Sequence, residues 1–271
     1  MIKLKNLKFL FIFLLFAFLV FTFLYLPSER IVPIFMYHNI DEKNDMLSVS
    51  PQNFDKQMRF LSQHNYNVIG LGEFADLITA KKNIPPNTVL ITFDDGKNNL
   101  YENALPILKK YQIKAAMFVI PGNCGQKGYL DKKQIREISE AGIDIGSHTL
   151  TDKWLPACND AELKREIYGS RNALEIITGR SVYFISYPLG GFDERVKGIV
   201  KSAGYRAACA THPGLGSATD DVYALKRVKI TNKDAQFMIS FWLKATGCYE
   251  WYKEQRRTYK KSHASKTHIN S

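Results

Sequence analysis

Two adjacent carboxylates, Asp94 and Asp95, close the apolar, β-branched run Thr88-Val89-Leu90-Ile91-Thr92-Phe93. Neighbouring carboxylates repel each other, and the pKa of one rises unless a cation stands close. Farther along, His148 and Asp152 lie in Ser147-His148-Thr149-Leu150-Thr151-Asp152. Asp95, His148 and Asp152 together offer one nitrogen and two oxygen donors, a set that suits a divalent metal ion. Another histidine, His38, follows the apolar run 31–37. An Asp before Gly is by itself a common turn. Acids and histidines recurring at the ends of apolar runs are less common, and they make a candidate site.

Those residues need strands to present them. The run 31–37 is β-prone, and 88–93 is the clearest strand of the chain. Ser50-Pro51 begins a helix, with Ser as N-cap and Pro at the first helical position. Phe54, Met58 and Leu61 form its apolar stripe. The pattern then predicts helices over 71–80 and about 100–111, the latter interrupted or ended by Pro106, and a strand over 115–120. After a Gly-rich loop come helix 131–141, strand 143–147, helix 160–178, strand 182–187, helix 193–203 and strand 205–210. A last strand near 223–230 precedes a helix over 234–245. Alternation of helices with continuous apolar strands means a parallel sheet covered by helices. Seven or eight such strands favour a closed or partly closed barrel. In barrels the carboxyl ends of the strands carry the active site. That rule selects His38, Asp94, Asp95, His148, Asp152 and the loop Tyr187-Pro188-Leu189-Gly190-Gly191.

With 271 residues, 45% hydrophobic and 23% charged, the composition is ordinary for a globular protein. It excludes a disordered, collagen-like or polytopic membrane chain. The net charge of +11 is concentrated at the ends: Lys3, Lys5 and Lys8 in front, and six Lys/Arg against two Glu in 249–271. It makes no case for nucleic acid. Phe9 to Leu26 is almost unbrokenly apolar, and its eighteen residues would span roughly 27 Å as a helix. The lysines before it place the N-terminus in the cytoplasm. The expectation is an uncleaved, single-pass anchor over 1–26, with a cleaved signal peptide as the rival reading, an extracytoplasmic catalytic domain over 27–248 and a basic, disordered tail over 249–271. Four cysteines are too few for a disulfide scaffold. A Cys124–Cys158 bridge and free thiols both remain open.

These motifs resemble the polysaccharide deacetylases of carbohydrate esterase family 4, the NodB-homology group. Thr92-Phe93-Asp94-Asp95-Gly96 matches the first family motif in full. Ser147–Asp152 matches the second except at its last position. Tyr187-Pro188-Leu189-Gly190 is similar to the third. Gly204-Tyr205-Arg206-Ala207-Ala208 and Leu225-Lys226-Arg227-Val228 also look familial. Pro33-Ile34-Phe35-Met36-Tyr37-His38 is similar to the opening strand of the permuted subgroup that deacetylates poly-N-acetylglucosamine. The resemblance covers about residues 31–245. It implies a distorted (β/α)7-8 barrel of the NodB-homology type that removes N-acetyl groups from an amino-sugar polysaccharide. It also implies that Asp94 is the general base and that Asp95 and His148 are metal ligands, with Asp152 in the third ligand's place. His38 becomes the acid for the departing amine, with His212 as runner-up. Pro188, Leu189 and Gly190 become the substrate-binding acetyl pocket, with Arg227 on the same side orienting the base.

Two departures stand out. Asp152 occupies the place of a family histidine, and Leu189 that of an aromatic. The oxygen-rich donor set keeps Zn²⁺ as the first expectation and brings Mn²⁺, Co²⁺ and Ni²⁺ into range. The rival readings are a homologue that binds glycan without catalysis and a hydrolase of non-sugar amides.

Overall fold

The computed structural model describes residues 4–25, 32–213, 221–247 and Arg256. The chain falls into two units, Met1–Arg30 and Ile31–Ser271. In the first, helix α1 (Leu4–Tyr25) covers the apolar N-terminal run. Among the described residues no helix is long and apolar enough to cross a membrane. The membrane-spanning helix expected at the N-terminus is therefore not supported.

Seven parallel strands make the second unit. They are β1 (Ile34–Tyr37), β2 (Thr88–Phe93), β3 (Ala116–Val119), β4 (Asp144–Ser147), β5 (Phe184–Ser186), β6 (Ala207–Pro213) and β7 (Leu225–Lys229). Neighbours in this order pair from β2 through to β7. β1 closes the ring, with Phe35 opposite Ile91 of β2 on one side and Val228 of β7 on the other. The first two residues of β2 pair instead with the short strand Asn67–Val68, before β1 takes over the same edge.

The barrel has two faces because strand side chains alternate. Phe35, Tyr37, Ile91, Phe93, Met117, Val119, Ile145, Ile185, Ala208 and Val228 pack outward in one core with residues of the surrounding helices. Those helices are α2 (Pro51–Gln63), α4 (Leu105–Tyr111), α5 (Lys132–Glu140), α6 (Asp160–Thr178), α7 (Glu194–Ser202) and α9 (Met238–Ala245). Residues of the other parity face inward. Ile34, Leu90, Phe118, Phe184, Ala207 and Leu225 form a second core, joined by Leu71, Phe74 and Ile78 of α3 (Leu71–Thr79). That core fills the amino-terminal part of the barrel. Phe118 needs the space: a Cβ on Gly146 would stand 2.5 Å from its ring.

Local sequence explains the helix starts. Ser50 accepts from Asn53 N at α2. Capping boxes open α5 (Asp131 with Gln134) and α6 (Asn159 with Glu162). The helix expected over 100–111 is broken differently from its pattern. Pro106 cannot donate a backbone bond to residue 102. The chain answers with a π turn, Leu100–Ala104, in which Leu105 N reaches Leu100 O. Pro106 then falls in the first turn of α4, where a missing N–H costs nothing. The expected final helix is likewise two, α8 (Asn232–Gln236) and α9, parted at Phe237. Cys124, Cys158 and Cys209 are free thiols, so the structure contains no Cys124–Cys158 bridge.

Candidate active site

The inward parity that builds the apolar plug also builds the site. Counting on by two from the plug residues gives Thr92 and Asp94, His148, Ser186, Arg227, and His38 beyond Met36. All of them lie toward the carboxyl ends of the strands.

Asp94 and Arg227 form its centre. Both are buried. The guanidinium grips the carboxylate with two parallel bonds, Nη1 to Oδ1 and Nη2 to Oδ2, each 2.7 Å. Its other donors reach Ser186 Oγ at 2.8 Å, Thr92 Oγ1 at 3.2 Å and Ala210 O at 3.1 Å. Burial disfavours the ionised carboxyl, but Arg227, with help from His148 and His38, holds Asp94 well below the usual carboxylate range. Arg227 thus has no open donor face. Arg227 was expected on the substrate side, orienting the base; its five donors are all engaged within the protein, two of them on Asp94.

His148 follows β4 and is buried. Its Nδ1 lies 2.9 Å from Ser186 O. A carbonyl can only accept, so Nδ1 carries a proton, and Nε2 is the nitrogen left to face a cation. Nε2 stands 3.7 Å from Asp95 Oδ1 and 3.7 Å from Asp152 Oδ1. Two ligands of one tetrahedral ion with bonds of about 2.1 Å sit about 3.4 Å apart. The donor chemistry fits a divalent cation, and these separations exceed that span by a few tenths of an ångström. Among the described residues no group of three or more such side chains is already drawn together as a cage.

Strain marks the same loops. Asp95, Thr149, Asp152 and Leu189 all have positive φ, between 53° and 70°. Each such residue costs on the order of 1–3 kcal/mol and persists only where its surroundings enforce it. For the 149–152 turn the enforcing group is Glu166 on α6. Its carboxylate accepts from Thr151 N at 2.8 Å and from Thr151 Oγ1 at 2.7 Å. Asp152 N also donates to Thr149 Oγ1 at 3.1 Å. Burial raises the Asp152 pKa and Asp95 adds to the rise, while His148 and Lys97 pull it back.

His38 is half-buried. Burial lowers its pKa, against the upward pull of Asp94 and Asp95. The runner-up, His212, has its side chain outside the described residues. Pro188 and Gly190 are buried, whereas Leu189 is 80% exposed. The 188–191 loop is held by two close approaches that only glycine permits. A Cβ on Gly190 would meet Thr211 N at 2.8 Å, and one on Gly191 would meet the Trp154 ring at 2.4 Å.

Sequence reasoning passed over Ser186, Glu166 and Lys97. Ser186 had a usable signal, as a hydroxyl on the inward face of a buried strand. Glu166 and Lys97 had none, because acids on helices and lysines in loops are mostly solvated.

Comparison with known proteins follows the same lines. The family model described as polysaccharide deacetylase matches residues 81–208. YxkH of Bacillus subtilis, provisionally described as a polysaccharide deacetylase, is 33% identical over 200 residues, 74% of this chain and 71% of that one. The poly-β-1,6-N-acetyl-D-glucosamine N-deacetylase of Staphylococcus aureus is 27% identical over 209 residues, 72% of each chain. Among solved structures, a polysaccharide deacetylase from Bacillus cereus superposes with a TM-score of 0.68 at 31% identity, covering 78% of this chain and 69% of that one. The deacetylase PplD of Streptococcus pyogenes, in complex with acetate, gives 0.74 at 26% identity, covering 78% and 98%.

Proposed function

Because this chain belongs to the polysaccharide deacetylase family, we propose that it hydrolyses the N-acetyl groups of an amino-sugar polymer of the poly-β-1,6-N-acetylglucosamine type, releasing acetate. The observation that carries this reading is the buried, Arg227-clamped Asp94 beside the Asp95–His148–Asp152 group. A carboxylate kept ionised next to three convergent donor side chains is the arrangement that amide hydrolysis needs. The staphylococcal relatives support the substrate class.

Family members generally use a divalent metal. Here Asp95, His148 Nε2 and Asp152 would hold it, and a bound ion would acidify water and polarise the amide carbonyl. The chain's own groups then divide the remaining work. Arg227 holds the Asp94 carboxyl ionised well below the usual carboxylate range. Arg227 engages one lone pair on each carboxylate oxygen and fixes their direction, Ser186 Oγ also donates to Oδ2 at 3.4 Å, and Oδ1 keeps a lone pair that can accept the proton of the attacking water. The water oxygen bonds to the acetyl carbon, and the carbon–nitrogen bond breaks. The departing amine needs one proton, and the one taken from the water suffices. His38 is neutral near pH 7 because burial lowers its pKa, so it can take that proton up and hand it on. Pro188 and Gly190 wall the acetyl side.

We place the working domain outside the cytoplasm. The support is the lysine-flanked apolar run 9–26 in the sequence, and protease accessibility in intact cells tests it.

The functional test is acetate release from N-acetylglucosamine oligomers by the full chain, stripped of metal and then given Zn²⁺, Mn²⁺, Co²⁺ or Ni²⁺ singly. Release with at least one ion, abolished in Asp95→Asn, is the expected result. Silence with every ion, alongside retained binding of the oligomer, would favour the non-catalytic reading that the extra carboxylate of Asp152 suggests.

A further inference from the structure

Lys97 follows the Asp95-Gly96 turn and is fixed by more than its own backbone. It forms an isolated antiparallel bridge with Tyr129. On either side, Asn98 N donates to Gly128 O and Leu130 N to Gly96 O, each at 3.0 Å. Gly96, at φ 66°, lies so close to Val119 that a Cβ there would stand 3.0 Å from its side chain. The ammonium sits 3.8 Å from the centre of the Tyr129 ring and 3.9 Å from Asp95 Oδ2. Only 24% of the Lys97 side chain is exposed, although lysine ordinarily keeps its head in water.

This placement matters because of the charge it faces. Asp95 and Asp152 bring two carboxylates to within 3.7 Å of His148 Nε2. Lys97 is a cation at the same mouth, and its charge is felt by Asp152 as well as by Asp95.

We propose that Lys97 is the internal counter-cation of the Asp95–His148–Asp152 group, offsetting one carboxylate charge and competing with a divalent ion for the same negative potential. It therefore sets how tightly that ion is held. The inference rests on the metal-binding reading above. Lys97 is a positioning residue in this scheme and takes no part in the chemistry.

The test is calorimetric titration of the metal-stripped full chain with Zn²⁺ and with Mn²⁺, for wild type, Lys97→Met, Lys97→Gln and Lys97→Arg. Methionine keeps an apolar stem on Tyr129 and removes only the charge. Removing a unit charge a few ångströms from a partly exposed site should tighten binding by about tenfold. Lys97→Gln should behave like Lys97→Met. Lys97→Arg should stay near wild type, which a purely structural role would not require. The gain should shrink in about 0.5 M salt, where charges are screened over a few ångströms. Equal or weaker binding by both uncharged variants overturns the role of Lys97 while leaving the metal reading intact. No binding by any of the four proteins overturns the metal reading and this inference together.

Discussion

Replacing Arg227 by methionine should destabilise the protein strongly, and in a way that depends on pH. The side chains of Arg227 and Asp94 are 0% and 3% exposed. A buried pair is worth little net, because taking two charges out of water cancels most of their attraction. Breaking such a pair from one side is different. Asp94 would be left ionised, buried and without its two 2.7 Å partners, and Ser186 and Thr92 would lose a donor as well. The expected cost is roughly 3–5 kcal/mol near neutral pH.

The sign of the pH dependence follows from which way Asp94 is shifted. In the wild type its folded pKa lies below the unfolded value of about 3.9, because Arg227 outweighs burial. The stabilisation is complete above about 3.9 and is lost only as pH falls through the lower folded value. Without Arg227, burial acts with less opposition and raises the folded pKa above the unfolded one. The contribution is then present at low pH and lost as pH rises through that raised value. Arg227→Met should therefore lose less stability at pH 5 than at pH 8, relative to wild type at the same pH. Urea unfolding followed by circular dichroism at pH 5, 6.5 and 8 measures this. The cycle with Asp94→Asn and the double variant isolates the pair. The double variant should be more stable than Arg227→Met alone, since neither charge is then stranded. A loss under about 1 kcal/mol at pH 8, or additive single effects, would refute the argument.

Other expectations are simpler. His38→Gln should lower kcat by about 10²–10⁴-fold, the range of a lost proton-transfer group. In the wild type the acid limb of kcat should fall below the ordinary histidine value of 6.5, because burial lowers the His38 pKa. Gly191→Ala should cost about 1–3 kcal/mol by overpacking against Trp154, and Trp154→Ala in the same chain should relieve part of that loss, read as a rise in the thermal midpoint. Cys209, its pKa pushed up to about 12 by burial, should resist iodoacetamide at pH 8 until the barrel unfolds, and mass spectrometry of the labelled chain reads that directly.

What the sequence revealed, and what it hid, follows from how far each signal reaches along the chain. The strand 88–93 was legible because six consecutive buried residues leave a local record, and Asp94-Asp95 stands where that record stops. The alternation of strands and helices carried the barrel in the same way, with strand and helix boundaries off by up to three residues. Arg227 was harder to place. It was legible as an anomaly, a charge inside Leu225-Lys226-Arg227-Val228, but its partner lies 133 residues away. Only the closing of β7 onto β1, and of β1 onto β2, brings the two together. The two-residue strand Asn67–Val68 left no periodicity to read, and the π turn before Pro106 depends on a hydrogen bond that the proline lacks. The anchor expectation rested on hydropathy and the preceding lysines, and among the described residues no helix is long and apolar enough to cross a membrane. Counting by two along each strand is the step that unites the rest. Leu90, Thr92 and Asp94 share a face, as do Phe184 and Ser186, Leu225 and Arg227, and Ile34, Met36 and His38. In each strand the apolar members come first and the polar ones last. A parallel barrel aligns all strands the same way, so that one gradient repeated around the ring produces a greasy plug at one end and a charged site at the other. Placing a polar residue one position earlier or later in any strand would turn it into the helix layer, among Phe35, Ile91 and Val228, where it would find neither Asp94 nor water.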